Sequence, residues 1–140
     1  IYTYPYIELK ANYLLDTLGI KETVIESTRN IYKSKINLDY NRKLFEELKA
    51  LSKENKFEVV VIIFPGLVNF KDYPYSDLHA LIAKTSGEYG FHVIDLYDAY
   101  SKYDANKLIV SKYDTHPNEL GHKIAAEEIL EKLINFSIIK

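Results

Sequence analysis

The stretch Tyr113-Asp114-Thr115-His116-Pro117-Asn118-Glu119-Leu120-Gly121-His122 holds the residue types of acid–base catalysis at the spacing of one loop-to-helix junction. Pro117 has a fixed φ and no N–H, which suits the approach to a helix. Asn118 is a strong N-cap residue, its side-chain oxygen taking an orphan N–H of the first turn. His116 is then expected on a loop just ahead of a helix N-terminus, where the dipole favours the neutral imidazole that a general base must be. Asp114, two residues earlier, can turn its carboxylate onto the other ring nitrogen, fixing the tautomer and stabilising the imidazolium formed during catalysis. Gly121 offers no side chain to obstruct close approach of a strand or substrate. His122 could join His116 and Asp114 in a zinc-type donor set. A third firm ligand is not visible, so no metal is assigned.

The elements that must position this segment can be read along the chain. Ile7–Leu18 has the pattern of a helix stopped by Gly19, preceded by Tyr2, Tyr4 and Tyr6 alternating around Pro5. Lys21–Leu38 shows the least periodicity. From Asn41, Leu44, Phe45, Leu48 and Leu51 form one apolar face, with Asp39 or Asn41 available as the cap. Glu58–Phe64 is a Val/Ile-rich run closed by Pro65-Gly66, apolar on both faces as a central parallel strand requires. Ser76 or Asp77 can cap the next helix, which carries Leu78, Leu81, Ile82 and Tyr89 and ends at Gly90. Phe91–Leu96 reads as a second strand and Lys107–Val110 as a short third. A last helix after Asn118 carries Leu120, Ile124, Ala125, Ile129 and Leu133, with Glu128 and Lys132 paired on its wet side. This succession predicts an α/β fold with a parallel sheet. Two firm strands make a thin sheet, because about four to six are usual. The expectation is that polypeptide outside this chain completes it.

Composition narrows the class. The 140 residues are 47% hydrophobic and 27% charged, which excludes a disordered tail, and with 5 Gly and 4 Pro the chain is no collagen-like repeat. A formal charge of −2 gives no electrostatic case for nucleic acid. The absence of Cys removes disulfides, thiolate zinc sites and a Cys nucleophile together, and it leaves the compartment open. The longest apolar stretch, near Val59–Phe64, falls far short of the roughly 20 residues that span a bilayer. No repeat or linker divides 1–140, so it reads as a single domain. Opening on Ile1 rather than Met, it reads as a processed or trimmed chain, or a piece of a longer one.

The segment Asp114, His116-Pro117-Asn118, Gly121-His122 resembles the C-terminal motif of the SGNH (GDSL-like) hydrolase family, in which an Asp and a His near the chain end serve a serine nucleophile. The similarity covers about 41–133, including the helix leading into the strand that ends at Phe64-Pro65 and the strand that ends at Ile94-Asp95-Leu96. The family most often has two residues between the Asp and the His, whereas only Thr115 intervenes here. The Gly-Asp-Ser nucleophile motif and the Gly and Gly-x-Asn-Asp oxyanion elements are absent from the chain. The resemblance therefore implies the C-terminal portion of a flavodoxin-like, three-layer α/β/α hydrolase, with its N-terminal strands and serine supplied from outside. It implies hydrolysis of carboxylic esters of lipids or carbohydrates with His116 as base and Asp114 as its partner, and it calls for no cofactor. The partners it implies are the ester substrate and the N-terminal segment of the same protein.

Other residues carry weaker signals. Pro65, Leu67 and Val68 follow a strand end and could line an acyl pocket. Ser76, Ser86, Ser101 and Ser111 lack the strand-to-turn setting of a nucleophile. His79 and His92 read as ordinary helix and strand residues. Asp95 and Asp98 follow the second strand, where α/β sheets place their sites, although capping explains them equally. Tyr73, Tyr75, Tyr97, Tyr100 and Tyr113, among 13 tyrosines, fall near the expected site loops. The rival to an esterase is a non-catalytic flavodoxin-like binding or scaffolding domain that keeps His-Pro-Asn as a structural turn.

Overall fold

The computed structural model of the protein describes residues 24–139. The expected helix Ile7–Leu18 and the tyrosines ahead of it lie outside the described residues. Where the sequence reads as one domain, the chain divides into two compact units, Ile1–Leu38 and Asp39–Lys140.

In the first unit, Val24–Lys33 forms helix α1. No Gly or Pro interrupts 24–33, and Val24, Ile25, Ile31 and Tyr32 recur at helical spacing, so a helix forms there. Helix α2 covers Lys35–Asn55 and begins earlier than the sequence suggests. Its cap is Ser34, whose Oγ accepts the Asn37 N–H at 3.2 Å. Asp39 and Asn41 lie inside the helix instead, because Ser34 is the first short oxygen able to take an orphan donor. Lys56 closes α2 at φ 56°, and the Phe57 N–H reaches back to the Ser52 carbonyl at 3.1 Å, the left-handed ending that satisfies last-turn carbonyls.

The second unit is α/β. Strand β1 (Val60–Ile63) is followed by helix α3 (Ser76–Glu88), strand β2 (His92–Asp95) and a single turn, α4 (Tyr97–Tyr100). A 3₁₀ turn (Ala105–Lys107) then leads to β3 (Ile109–Ser111), β4 (Asp114–Pro117) and helix α5 (Glu119–Asn135). β1 and β2 pair in parallel, Val60 opposite His92 through Ile63 opposite Asp95. The N-cap position of α3 is Tyr75, one residue before the expected Ser76, and no side chain caps it. Gly90 ends that helix at φ 77°, a left-handed conformation that costs a glycine little.

The third predicted strand has a different partner from the one expected. Ile109–Ser111 does not extend the parallel series but pairs antiparallel with Asp114–Pro117, forming a separate two-stranded ribbon with an irregular register. Only Lys112 and Tyr113 separate the two strands, so closing a hairpin costs little chain entropy.

The core gathers Phe70, Ile94, Leu96, Ala99, Tyr100, Leu108, Ile124 and Ala125. Leu96, Tyr100 and Leu108 are wholly excluded from water, each side chain of that kind contributing about 1.5–3 kcal/mol. Ile129 and Leu133 pack against this cluster from α5, whereas Leu120 stays exposed. The expected Glu128–Lys132 ion pair forms at 3.3 Å. Among the described residues, no helix is long and apolar enough to cross a membrane.

Candidate functional site

Asn118 organises the junction between the β3–β4 ribbon and α5. Its Oδ1 accepts the Gly121 N–H at 3.1 Å, the predicted cap. Its Nδ2 donates to the Lys107 and Ile109 carbonyls at 2.9 and 3.0 Å, and its own N–H donates to the Leu108 carbonyl at 2.7 Å. One side chain thus ends the ribbon and starts the helix. Gly121 is placed where a Cβ would lie 3.0 Å from Pro117 Cβ and 3.1 Å from the Leu108 oxygen. Its carbonyl accepts the buried Tyr100 hydroxyl at 2.8 Å. The missing side chain therefore serves close packing of the helix start on the ribbon.

His116 stands two residues before this staple, in strand β4 and not on a free loop. Its Nδ1 lies 2.6 Å from Asp114 Oδ1, and the same oxygen accepts the His116 backbone N–H at 3.1 Å. The one-residue spacer is what permits both bonds, since a carboxylate turning on the residue two positions ahead makes a closed Asx turn. Hydrogen bonds from the His116 ring and then from its backbone N–H hold the Asp114 carboxyl below its ordinary value. In a neutral ring, Nδ1–H given to an acceptor-only carboxylate leaves the lone pair on Nε2, the arrangement of a general base. The ring is 87% exposed, so its free face meets water.

Each of the four serines weighed as a nucleophile has a hydrogen-bond partner other than His116. Ser86 is buried and donates to the Ile82 carbonyl at 2.8 Å. Ser76 and Ser101 donate to the Tyr73 and Asp98 carbonyls, and Ser111 Oγ accepts the Tyr113 N–H at 3.2 Å. Among the described residues, no group of three or more His, Cys, Asp or Glu is placed to hold a metal ion.

Beyond the carboxyl end of β1, a groove of about 780 Å³ is lined by Leu67, Val68, Phe70, Lys71, Ser101 and Tyr103, with 104–106 closing it. That volume is of the order that takes a small ligand. Leu67 and Val68 are on its wall. Pro65 is buried beneath the turn and does not line it, because the residue leaving a core-facing strand end points inward. Neither Asp114 nor His116 is among the lining residues.

A second His–Asp pair lies at the ends of β1 and β2. His79 on α3, only 8% exposed, places Nδ1 at 3.0 and 2.9 Å from the two Asp95 oxygens. Its Nε2 lies 3.0 Å from the Tyr73 hydroxyl, which accepts the Gly66 N–H at 2.9 Å. Asp95 Oδ1 also accepts the Tyr97 N–H at 2.9 Å, so it closes a turn leading into α4 as well as pairing with His79. Burial, opposed by the Gly66 N–H, pushes the Tyr73 hydroxyl up to about 12, keeping it a neutral donor. Tyr73 packs on Tyr75 and Tyr97 with ring centroids 5.8 and 4.8 Å apart, while Tyr100 is in the core and Tyr113 is exposed at the ribbon tip. The sequence reading gave His79 no partner. The available signal was a His spaced seven residues before buried Ser86, followed by an Asp at the next strand end.

Comparison with family models, with curated proteins and with solved structures gives no match.

Proposed function

We propose that this chain supplies the His–Asp half of a serine ester hydrolase of SGNH type, built as a three-layer α/β/α domain with a parallel sheet. The observation that carries the reading is the Asp114–His116 pair, whose short contact engages Nδ1 and leaves Nε2 of an exposed ring for an incoming proton, on a ribbon stapled to α5. In this reading a serine from the N-terminal segment of the same protein attacks the ester carbonyl and passes its proton to His116 Nε2. Collapse of the tetrahedral intermediate then breaks the acyl–oxygen bond and returns that proton to the leaving alcohol. Water, giving its proton to His116, next attacks the acyl-serine, the acid leaves and the serine regains its proton. Asp114 stabilises the imidazolium in both halves. The groove bearing Leu67 and Val68 receives the acyl group. A base of this kind contributes about 10²–10⁴-fold, so His116→Ala in the full-length protein lowers turnover of p-nitrophenyl esters by that factor, and unchanged turnover refutes the assignment. The 140-residue chain alone shows no turnover.

A scaffolding domain is favoured by one observation, the exposure of His116 away from the described groove. Labelling of the full-length protein by a fluorophosphonate separates the two readings: attachment at a serine requires the hydrolase, and its absence favours the scaffold.

A further inference from the structure

The Asp95–His79–Tyr73 chain is separate from the Asp114–His116 pair, and with a neutral His79 ring its polar atoms leave one consistent assignment of protons. The Asp95 carboxylate can only accept, so a neutral His79 ring donates its Nδ1–H to it and keeps the lone pair on Nε2. The Tyr73 oxygen accepts the Gly66 N–H and directs its own O–H to that lone pair. The high value of the Tyr73 hydroxyl agrees with a group that keeps its proton.

Asp95 also reaches the other end of the same loop. It accepts the Tyr97 N–H, and the Tyr97 hydroxyl donates to the Phe70 carbonyl at 2.9 Å. Two routes from one carboxylate therefore end on Gly66 and on Phe70, the two ends of the segment that puts Leu67 and Val68 on the groove wall. Within it the Val68 N–H closes a tight turn on the Gly66 carbonyl at 2.8 Å. The network is half-buried around His79, and with every member satisfied it favours one conformation because the alternatives give up these bonds.

We propose that Asp95, His79, Tyr73 and Tyr97 are positioning residues that clamp the 66–70 loop into the shape that receives an acyl chain. This rests on the acyl-groove reading of the proposed function and assigns the second His–Asp pair to substrate binding, not to proton transfer.

The test uses the full 140-residue chain. Long-range ¹H–¹⁵N spectra of the unmodified protein, taken at a pH where the ring is neutral, should show the His79 proton on Nδ1, and a neutral ring protonated on Nε2 overturns the chain of donors. Tyr73→Phe removes the acceptor of the Gly66 N–H, so Gly66 amide exchange should quicken about tenfold while Ile94 exchange stays unchanged. Equal Gly66 rates in the two proteins also overturn it. Titration with octanoate, followed at the Leu67 and Val68 methyl resonances, should give several-fold weaker binding in Tyr73→Phe. Equal affinity, or no response at those methyls in the unmodified chain, removes the substrate-positioning role. Failure of the esterase reading is seen separately, as absence of serine labelling or turnover in the full-length protein.

Discussion

Asn118 offers the sharpest quantitative test of how the candidate base is held. Replacing it by Ala deletes the cap to Gly121 N–H and both amide donors to Lys107 and Ile109. A lost N-cap costs about 1 kcal/mol. Each lost hydrogen bond costs about 1 kcal/mol when its partner is left dry and less when water replaces it. The Ile109 contact is half-buried and the Lys107 contact exposed, so the sum is about 2–3 kcal/mol for Asn118→Ala. With a urea slope of about 1–3 kcal/mol per M, the unfolding midpoint of the chain falls by about 1–2 M. Two further variants separate the contributions. Asn118→Ser restores the cap alone and recovers about 1 kcal/mol. Asn118→Asp is the better cap beside a helix dipole, but it loses both donors and turns a carboxylate toward two carbonyl oxygens. It should therefore be no more stable than the Ser variant. If the Asp variant matches the unmodified protein in urea melts followed by circular dichroism, the stapling of ribbon to helix by this side chain is refuted.

Gly121→Ala sets helix propensity against packing. Alanine gains about 1 kcal/mol in a helix, but its Cβ meets Pro117 Cβ and a Leu108 oxygen already fixed by the Asn118 N–H, and overpacking costs about 1–3 kcal/mol. Net destabilisation near ~1 kcal/mol is expected in the same urea assay, and a stabilised variant would contradict the close approach. Asp114 titrates below its ordinary value of 3.8 because His116 hydrogen-bonds its charged form. The stability this gives is complete above the ordinary value and lost as pH falls through the lower folded one. Carboxyl carbon shifts followed by NMR should show Asp114 moving back up in His116→Ala, and an unmoved titration would mean the pair does not form in solution.

Much of this architecture was legible because its causes are local. Asn118 before Glu119 specifies a helix start from one side chain's chemistry, Gly90 ends α3 by its own backbone freedom, and the Val/Ile run at 58–64 contains the observed β1. The Asp114–His116 pair is also short-range, since two residues on one turn suffice to bring carboxylate and ring together. The start of α2 after Ser34 escaped because no Gly or Pro marks the break between α1 and α2. The pairing of Ile109–Ser111 with Asp114–Pro117 escaped because a strand's sequence names its face but not its neighbour.

The sequence by itself thus determined the α/β character of the second unit, the cap that fixes α5 and the residues of one His–Asp pair. Only the tertiary structure decided that Pro65 turns inward while Leu67 and Val68 form a wall, and that Gly121 is needed for contact with the Leu108 carbonyl. It alone joined His79 to Asp95, sixteen residues away, and Tyr73 to Gly66. The physical reason is that hydrogen bonds between distant residues depend on how the chain packs, and one residue's pattern carries no record of the partner that burial will bring to it.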